Sequence, residues 1–350
     1  MLSNHNSRDR VAVSSDVLAI VSRMAVPVDE HELLGEVAVS QRPAVRALLG
    51  RLVEHGLLHH GDDTGRCGES GPLSTFGPDA ESFHHAAMDV GFVPFRSERS
   101  AALAAGFSRE EQPNRIKTYP DAPRVYLSRH NRPLRAEIDD VFAARRTHRD
   151  FLARPVLLDD LATVLNRSSG VTRFQDTGPL GTQLVKVSPA GGSRHDVEAY
   201  VLPFNVQGLV PAIYHYHVLE HSLERIADMP SRSDLLDMVG QQPHVVNSAF
   251  SVFTTSVISR IAYKYRHARA YRIWMYNVGH VGQTFALAAT ALQLGPFQTA
   301  GFEDTRVAEM LGLDIRDEFP TYMLGAGYPV LRDDGLPEDF RLAEEVGRIT

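Results

Sequence analysis

The chain of 350 residues has a single cysteine, Cys67, a single tryptophan, and no apolar run near the roughly 18 residues that a membrane-spanning helix requires. Cys67 has no second thiol for an internal disulfide or a Cys-based zinc site, and its Gly/Asp-rich surroundings read as a solvated linker. The polar N-terminus lacks the apolar region of a secretory signal, so a cytoplasmic protein without a membrane segment is expected. Positive charge is also short: the formal net charge is −7, which opposes non-specific binding to polyanions and requires any phosphate site to be local. Several motifs are missing as well. Gly325-x-Gly327 is followed by Pro329 in place of a third glycine and a helix, so it is no dinucleotide fingerprint. There is no phosphate-binding P-loop, Gly-x-Ser-x-Gly elbow or His-Glu-x-x-His helix. The pairs His84-His85 and His215-His217 lack a third ligand at metal-site spacing, and the second pair alternates with Tyr214 and Tyr216 as on a half-exposed strand; no metal site is expected.

What is present divides into residues 1–62, a linker and lead-in over 63–124, and a large domain over 125–350. Val17 to Val21, Glu32 to Val37 and Ala44 to Leu58 read as three short helices, the last with an apolar stripe of Val45, Leu48, Leu49, Leu52 and Val53. With Leu57-Leu58-His59-His60 as a wing, they suggest a small winged-helix-like domain. A DNA-binding version would set Arg42, Arg46 and Arg51 against phosphates. Residues 1–66, however, hold seven arginines, no lysine and nine acids, a net of −2. That balance favours a peptide clamp or scaffolding over nucleic acid. Gly61 to Gly77 is the linker.

In the large domain a helix over Ala136 to Ala144 runs into Arg145-Arg146-Thr147-His148-Arg149. Guanidinium groups give charge-assisted, often bidentate bonds to phosphate, and Thr147 adds a neutral donor. The competing reading is a charge run that complements the end of a helix dipole. A helix over Leu157 to Leu165 is expected to break at Ser168-Ser169-Gly170. Pro189-Ala190-Gly191-Gly192-Ser193 is a small-residue loop over which a flat ligand approaches the backbone closely. Val197 to Leu202, Ala212 to Val218 and Ser251 to Ile258 read as strands, with Gly208 at a turn. Lys264 and Tyr265 are expected where the last of these hands over to a long helix, whose apolar positions Trp274, Val278, Val281, Phe285, Ala288 and Leu292 keep a three-and-four spacing. Gly295 and Pro296 read as its stop signal. A helix with Val307, Met310 and Leu311 and a final strand over Tyr322 to Pro329 complete an α+β fold, a mostly antiparallel sheet flanked by helices.

The order of these signals resembles the FMN-dependent nitroreductase superfamily, and within it the azoline dehydrogenases, the McbC/SagB-like group. The likeness runs roughly from Ser82-Phe83-His84 and Lys117-Thr118-Tyr119-Pro120 to Gly325-Ala326-Gly327-Tyr328-Pro329. It implies that Arg145, Arg146, Thr147 and Arg149 match an Arg-Arg-Ser-x-Arg element holding the FMN phosphate and ribityl chain. Pro189, Ala190, Gly191, Gly192 and Ser193 match the Pro-Ser-x-Gly segment against the isoalloxazine ring, with Ala190 in place of the usual serine. Gly282 and Gln283 match a helix glycine and its polar neighbour, Ala300 and Gly301 a loop over the flavin, and Arg332 a further phosphate contact. The superfamily fold implies a homodimer whose interface builds two FMN sites. Lys264-Tyr265, followed by Arg269-Ala270-Tyr271-Arg272, resembles the pair that sets azoline dehydrogenases apart, which implies catalytic roles for both.

The implied reaction oxidises thiazoline or oxazoline rings of a ribosomally made precursor peptide, with a cyclodehydratase complex as partner and neither nucleic acid nor membrane involved. A ring proton leaves to a base and a hydride to the flavin. Tyrosine, with a pKa of about 10, is a poor base unless a cation lowers it, and Lys264 either does so or polarises the ring nitrogen. Two alternatives compete: a general NAD(P)H-dependent nitroreductase, and a flavin-retaining scaffolding or peptide-binding subunit.

Overall fold

A computed structural model of the chain describes residues 2–3, 10–11, 15–22, 24, 28–58, 72–94, 96–107, 109–178, 181–333 and 335–336. Two compact units result, Met1–Gly91 with His267–Arg269, and Phe92–Arg266 with Ala270–Thr350. Residues 92–124, expected as lead-in, therefore fall in the large unit. Cys67, His59 and His60 lie outside the described residues.

In the small unit, strands β1 (Leu2–Ser3) and β2 (Arg10–Val11) pair antiparallel, and helices α1 (Ser15–Ser22), α2 (Glu30–Gly35), α3 (Arg42–Glu54) and α4 (Pro78–Ala86) follow. Asp29 starts α2 by accepting from the backbone N–H groups of His31 and Glu32, as an N-cap carboxylate does. Leu33, Leu34, Val45 and Leu49 form the core. Helix α3 ends at Glu54, and the N–H groups of Leu57 and Leu58 both fold back to the Leu52 carbonyl. These two leucines thus close the helix and do not begin a wing strand. Arg42 donates to the carbonyls of Val37 and Gly35, and Arg46 pairs with Glu30 at 2.8 Å, so two of the three arginines of a phosphate-facing reading bind their own domain.

The large unit begins with α5 (Glu98–Phe107), β3 (Arg124–Tyr126), α6 (Ile138–Ala144), β4 (Val156–Leu157) and α7 (Leu158–Ser169). A hairpin of β5 (Val171–Asp176) and β6 (Thr182–Lys186) leads into β7 (Val197–Pro203), β8 (Val206–Gln207), β9 (Ala212–His217) and β10 (Ser222–Asp228). Then come α8 (Arg232–Met238), α9 (Pro243–Asn247), β11 (Phe250–Val257), α10 (Ile258–Ala262), α11 (Ala270–Ala291), β12 (Gly295–Thr299), α12 (Asp304–Leu311) and β13 (Glu318–Gly327). Seven strands form one sheet in the order β12-β13-β11-β7-β9-β10-β3, antiparallel at every step. The only parallel pairing among the described residues joins β4 to β8.

Alternation along β7 explains the layers: Val197, Ala199 and Val201 face a core that includes Leu161 and Leu165 of α7 and Val278, Val281 and Phe285 of α11, while Tyr200 and Leu202 face a second core with Leu235, Val245 and Val307. Both faces are covered, so β9 is buried along its whole length and His215 is not on a half-exposed strand as its neighbours suggested. His215 Nδ1 lies 2.8 Å from Glu224 and Nε2 3.1 Å from Glu198. Burial opposes its charged form, but hydrogen bonds to the two carboxylates prevail and raise its pKa. Glu198 also accepts from Arg260 of α10, whose other bonds reach the carbonyls of Asn114 and His195. This buried network fixes α10 against the sheet, and with it the turn that follows.

Three boundaries differ from the sequence expectation. Helix α7 runs through Ser168 and Ser169, because the Ser168 hydroxyl bonds back to the Val164 carbonyl at 2.8 Å and needs no non-helical partner. Helix α11 stops at Ala291, with Gln293 in the left-handed region at φ 62°. Gly295 is the first residue of β12, where a Cβ would lie 2.7 Å from His148 and 2.8 Å from Pro329; the glycine serves close packing and not a helix stop. Finally, α10 interposes between β11 and the long helix, so Lys264 and Tyr265 follow a short helix and not a strand directly.

Candidate functional site

The loop after β6 carries the site's most constrained backbone. Gly191 donates its N–H to Asn277 Oδ1 at 2.9 Å, and Asn277 Nδ2 donates to Asp196 Oδ1 at 2.6 Å. The fully buried Asp196, which also accepts from Ser256, therefore orients the amide of a helix residue, and that amide pins the loop. His280 adds a contact of 3.2 Å to the Pro189 carbonyl. Ser193 turns its hydroxyl inward to the Leu184 carbonyl at 2.8 Å, and its N–H to Ala190. All three of these outer anchors sit on α11 or β6, so the loop rests on rigid elements.

Gly192 adopts φ 59°, a left-handed conformation. A Cβ there would lie 2.3 Å from Tyr265 Oη and 2.7 Å from Lys264 Nζ. The tips of the lysine and the tyrosine thus converge on the glycine of the loop. Both residues are half-buried in the turn between α10 and α11, which frees them from the angular separation of neighbours on a helix. Lys264 Nζ lies 5.4 Å from the centre of the Tyr265 ring. The residues on either side are tied down too: Tyr263 donates to the Phe107 carbonyl, and Arg266 pairs with Glu110.

The electrostatics differ from the expectation that Lys264 would draw the tyrosine down. Burial pushes the Tyr265 phenol above its ordinary value, and the cation opposing this is Arg194. Burial, followed by Arg194, pulls the Lys264 amine below its ordinary value. The lysine is thus eased toward its neutral form while the tyrosine keeps its proton.

The arginine-rich run lies elsewhere. Arg145 caps α6, and Arg146 donates to the carbonyls of Ala144 and Ala143. His148 donates its N–H to Pro296, Leu152 to Tyr328, and Val330 to Asp150. Residues 150–152 thus run antiparallel to 328–330, at the end of the sheet where Arg145, Thr147 and Arg149 precede this pairing and Arg332 follows it. Gly282 packs on Tyr322, and its carbonyl accepts from Gln298 at 2.6 Å, while Gln283 is exposed beside it. Gly301, next to Ala300, accepts from Gln242.

Two groups therefore exist. Val197 pairs with Ser256, placing the 189–193 loop and the Lys264-Tyr265 turn at the Val257 end of β11; Ala326 and Gly327 pair with Phe250 and Gly295, placing the arginine group at the Phe250 end. At about 3.3 Å per residue the two groups are offset by roughly 20 Å along the strands. Helix α11 spans the distance, with Asn277 near one group and Gly282 on the way to the other.

Asn277, Asp196 and Arg194 were not singled out by sequence reasoning. Asn277 leaves a signal, a polar residue inside the otherwise apolar stripe of α11; the other two do not.

With this geometry established, the family model for nitroreductases matches residues 142–328. The chain belongs to the nitroreductase family. It is 28% identical over 171 residues to the trifolitoxin-processing protein TfxB of Rhizobium leguminosarum bv. trifolii, a match covering 47% of this chain and 45% of that protein. It is 27% identical over 191 residues to MJ1384, a candidate nitroreductase of Methanocaldococcus jannaschii, covering 55% of this chain and 90% of that protein. The crystal structure of a candidate nitroreductase from Anabaena variabilis superposes with a TM-score of 0.53 at 21% identity, over 72% of this chain and 47% of that one. That likeness shows the shared nitroreductase fold. The chain matches less than half the length of TfxB.

Proposed function

We propose that this nitroreductase-family protein is an FMN-dependent azoline dehydrogenase, oxidising thiazoline or oxazoline rings in a precursor peptide. The observation that carries the reading is the convergence of Lys264 Nζ and Tyr265 Oη on Gly192, in a loop of the kind that lies against isoalloxazine. The similarity to a toxin-processing protein agrees with it. FMN fits these residues: at Gly192 only a residue without a side chain lets the Tyr265 and Lys264 tips reach the loop backbone, and Arg145, Thr147, Arg149 and Arg332 are the donors we assign to its phosphate. When bound, FMN supplies the hydride acceptor. Lys264, its amine eased toward neutrality, takes the ring proton at Nζ, and Tyr265, which keeps its proton, donates a hydrogen bond from Oη to the ring heteroatom.

The offset of the two groups makes a flavin site from a single chain incomplete, so a second copy brings one group to the other. A homodimer has a suitable face, since α6 exposes Ile138 and Phe142 and α11 exposes Met275 and Tyr276.

The test is to supply the full chain with FMN and a peptide carrying thiazolines, and to follow each ring by mass spectrometry. Loss of one H₂ per ring with bound flavin is the expected result. Absence of flavin binding overturns the cofactor; rapid NAD(P)H-dependent turnover of nitroaromatics with no change in the peptide selects the general nitroreductase.

A further inference from the structure

Arg194 follows the 189–193 loop directly and is buried, with 3% of its surface exposed. Its guanidinium stacks 4.8 Å from the centre of the Tyr263 ring, which satisfies its flat face but not its edge. Both Nε and Nη2, buried, find no hydrogen-bond acceptor among the described residues. These two nitrogens form one side of the guanidinium, where two N–H bonds run parallel and match the two oxygens of a carboxylate. Arg194 also lines a recess with Arg115, Gln183, His195 and Arg260, and no acid is among its lining residues. Arg260 donates from Nε and Nη1 to Glu198 and two carbonyls, and Arg115 donates one bond to Gln112.

A buried, unpaired guanidinium is costly to a fold, and the usual remedy is a carboxylate partner. Here burial, and then Arg115, pulls Arg194 below its ordinary value, so the surroundings aggravate the cost. His195, pushed down to about 3 by burial, is neutral and offers no compensation. Among the described residues no carboxylate meets this charge, which lies beside Lys264 and Tyr265.

We infer that the Arg194 recess is a carboxylate-binding site next to the Lys264-Tyr265 turn, engaging its ligand bidentately through Nε and Nη2. The site stands independently of the reaction. Assigning the carboxylate to an acidic residue of the peptide substrate rests on the proposed function; a free carboxylate is the other source.

The full chain is titrated with sodium acetate at constant ionic strength, followed by calorimetry and by the Arg Nε–H resonances. Saturable binding that shifts one buried Nε–H signal is expected, lost in Arg194→Gln and weakened roughly tenfold to a hundredfold in Arg194→Lys, which keeps the charge but not the fork. No saturable binding in the wild type, or unchanged binding in either variant, overturns the site. If Arg194→Gln does not fold, the lysine variant and the wild-type resonance decide. A second arm compares thiazoline peptides with Glu or Gln beside the ring. A KM about tenfold lower for Glu in the wild type, absent in Arg194→Lys, identifies the peptide as the source. Equal KM values with acetate still bound identify a free carboxylate, and neither result bears on whether azoline oxidation occurs.

Discussion

The two ends of the central sheet solve opposite problems. At the Val257 end, apart from Arg194, the buried charged and polar groups are held by partners: Asp196 orients Asn277, Asn277 pins Gly191, and Arg260 anchors α10 on Glu198. At the Phe250 end, Arg145 and Arg332 are half-buried and Arg149 is exposed. A site that sets proton positions needs rigid supports and low dielectric, whereas a site that grips a phosphate needs accessible donors. On the proposed function, chemistry and grip would occupy opposite ends of one sheet, roughly 20 Å apart.

The contrast is broken most severely by removing a proton-handling group. Lys264→Ala is expected to slow azole formation by about 10²- to 10⁴-fold while flavin stays bound, and Tyr265→Phe to slow it less. Peptide mass spectrometry and flavin absorbance check this; full activity in both variants removes the pair from the mechanism. A mixing experiment sharpens the same comparison. Lys264→Ala and an Arg145→Ala/Arg149→Ala double variant are each expected to be inactive, but in a dimer of one copy of each, one of the two sites has both groups intact. Co-refolded in equal amounts, they are expected to recover roughly a quarter of wild-type activity. No recovery means that each chain builds its site alone.

Gly192→Ala probes the contact between loop and turn. A Cβ meets the flexible ends of Tyr265 and Lys264, so those tips move aside, while the left-handed backbone adds strain of about 1–3 kcal/mol. The expected result is a fall in kcat of roughly tenfold to a hundredfold with a modest loss of stability. A drop in KM alone contradicts the placement. Asn277→Leu should act on stability instead, costing about 1–3 kcal/mol for each of the Asp196 oxygen and the Gly191 N–H left unpaired. Urea unfolding measures it, and a neutral result means that the loop holds without its anchor.

Much of this was legible in the sequence, for physical reasons. The long helix, the buried strands and the antiparallel sheet follow from apolar periodicity, which local spacing encodes. Gly295 was misread because a glycine followed by proline looks the same whether it ends a helix or makes room for His148 from 147 residues away. The Lys264-Tyr265 pair was visible as a motif, but its electrostatics were not, since they depend on Arg194, brought alongside only by folding. Likewise the separation of the arginine group from the loop is a matter of strand register, which neither motif carries.

The smallest expected effect concerns pH. Because burial and Arg194 hold the Lys264 amine below its ordinary 10.5, azole formation should rise with pH as that amine loses its proton, with a midpoint below 10.5. Between the folded-state pKa and 10.5 the unfolded chain binds more protons at this residue than the folded one, so its contribution to stability also rises with pH across that window. Arg194→Gln removes a like charge from Lys264 and an opposite charge from Tyr265, so both groups should titrate higher. The pH–rate profile at saturating peptide should therefore move bodily toward alkaline pH. A profile that stays in place would show that Arg194 acts only through its own ligand, and would leave burial as the sole cause of the displaced lysine.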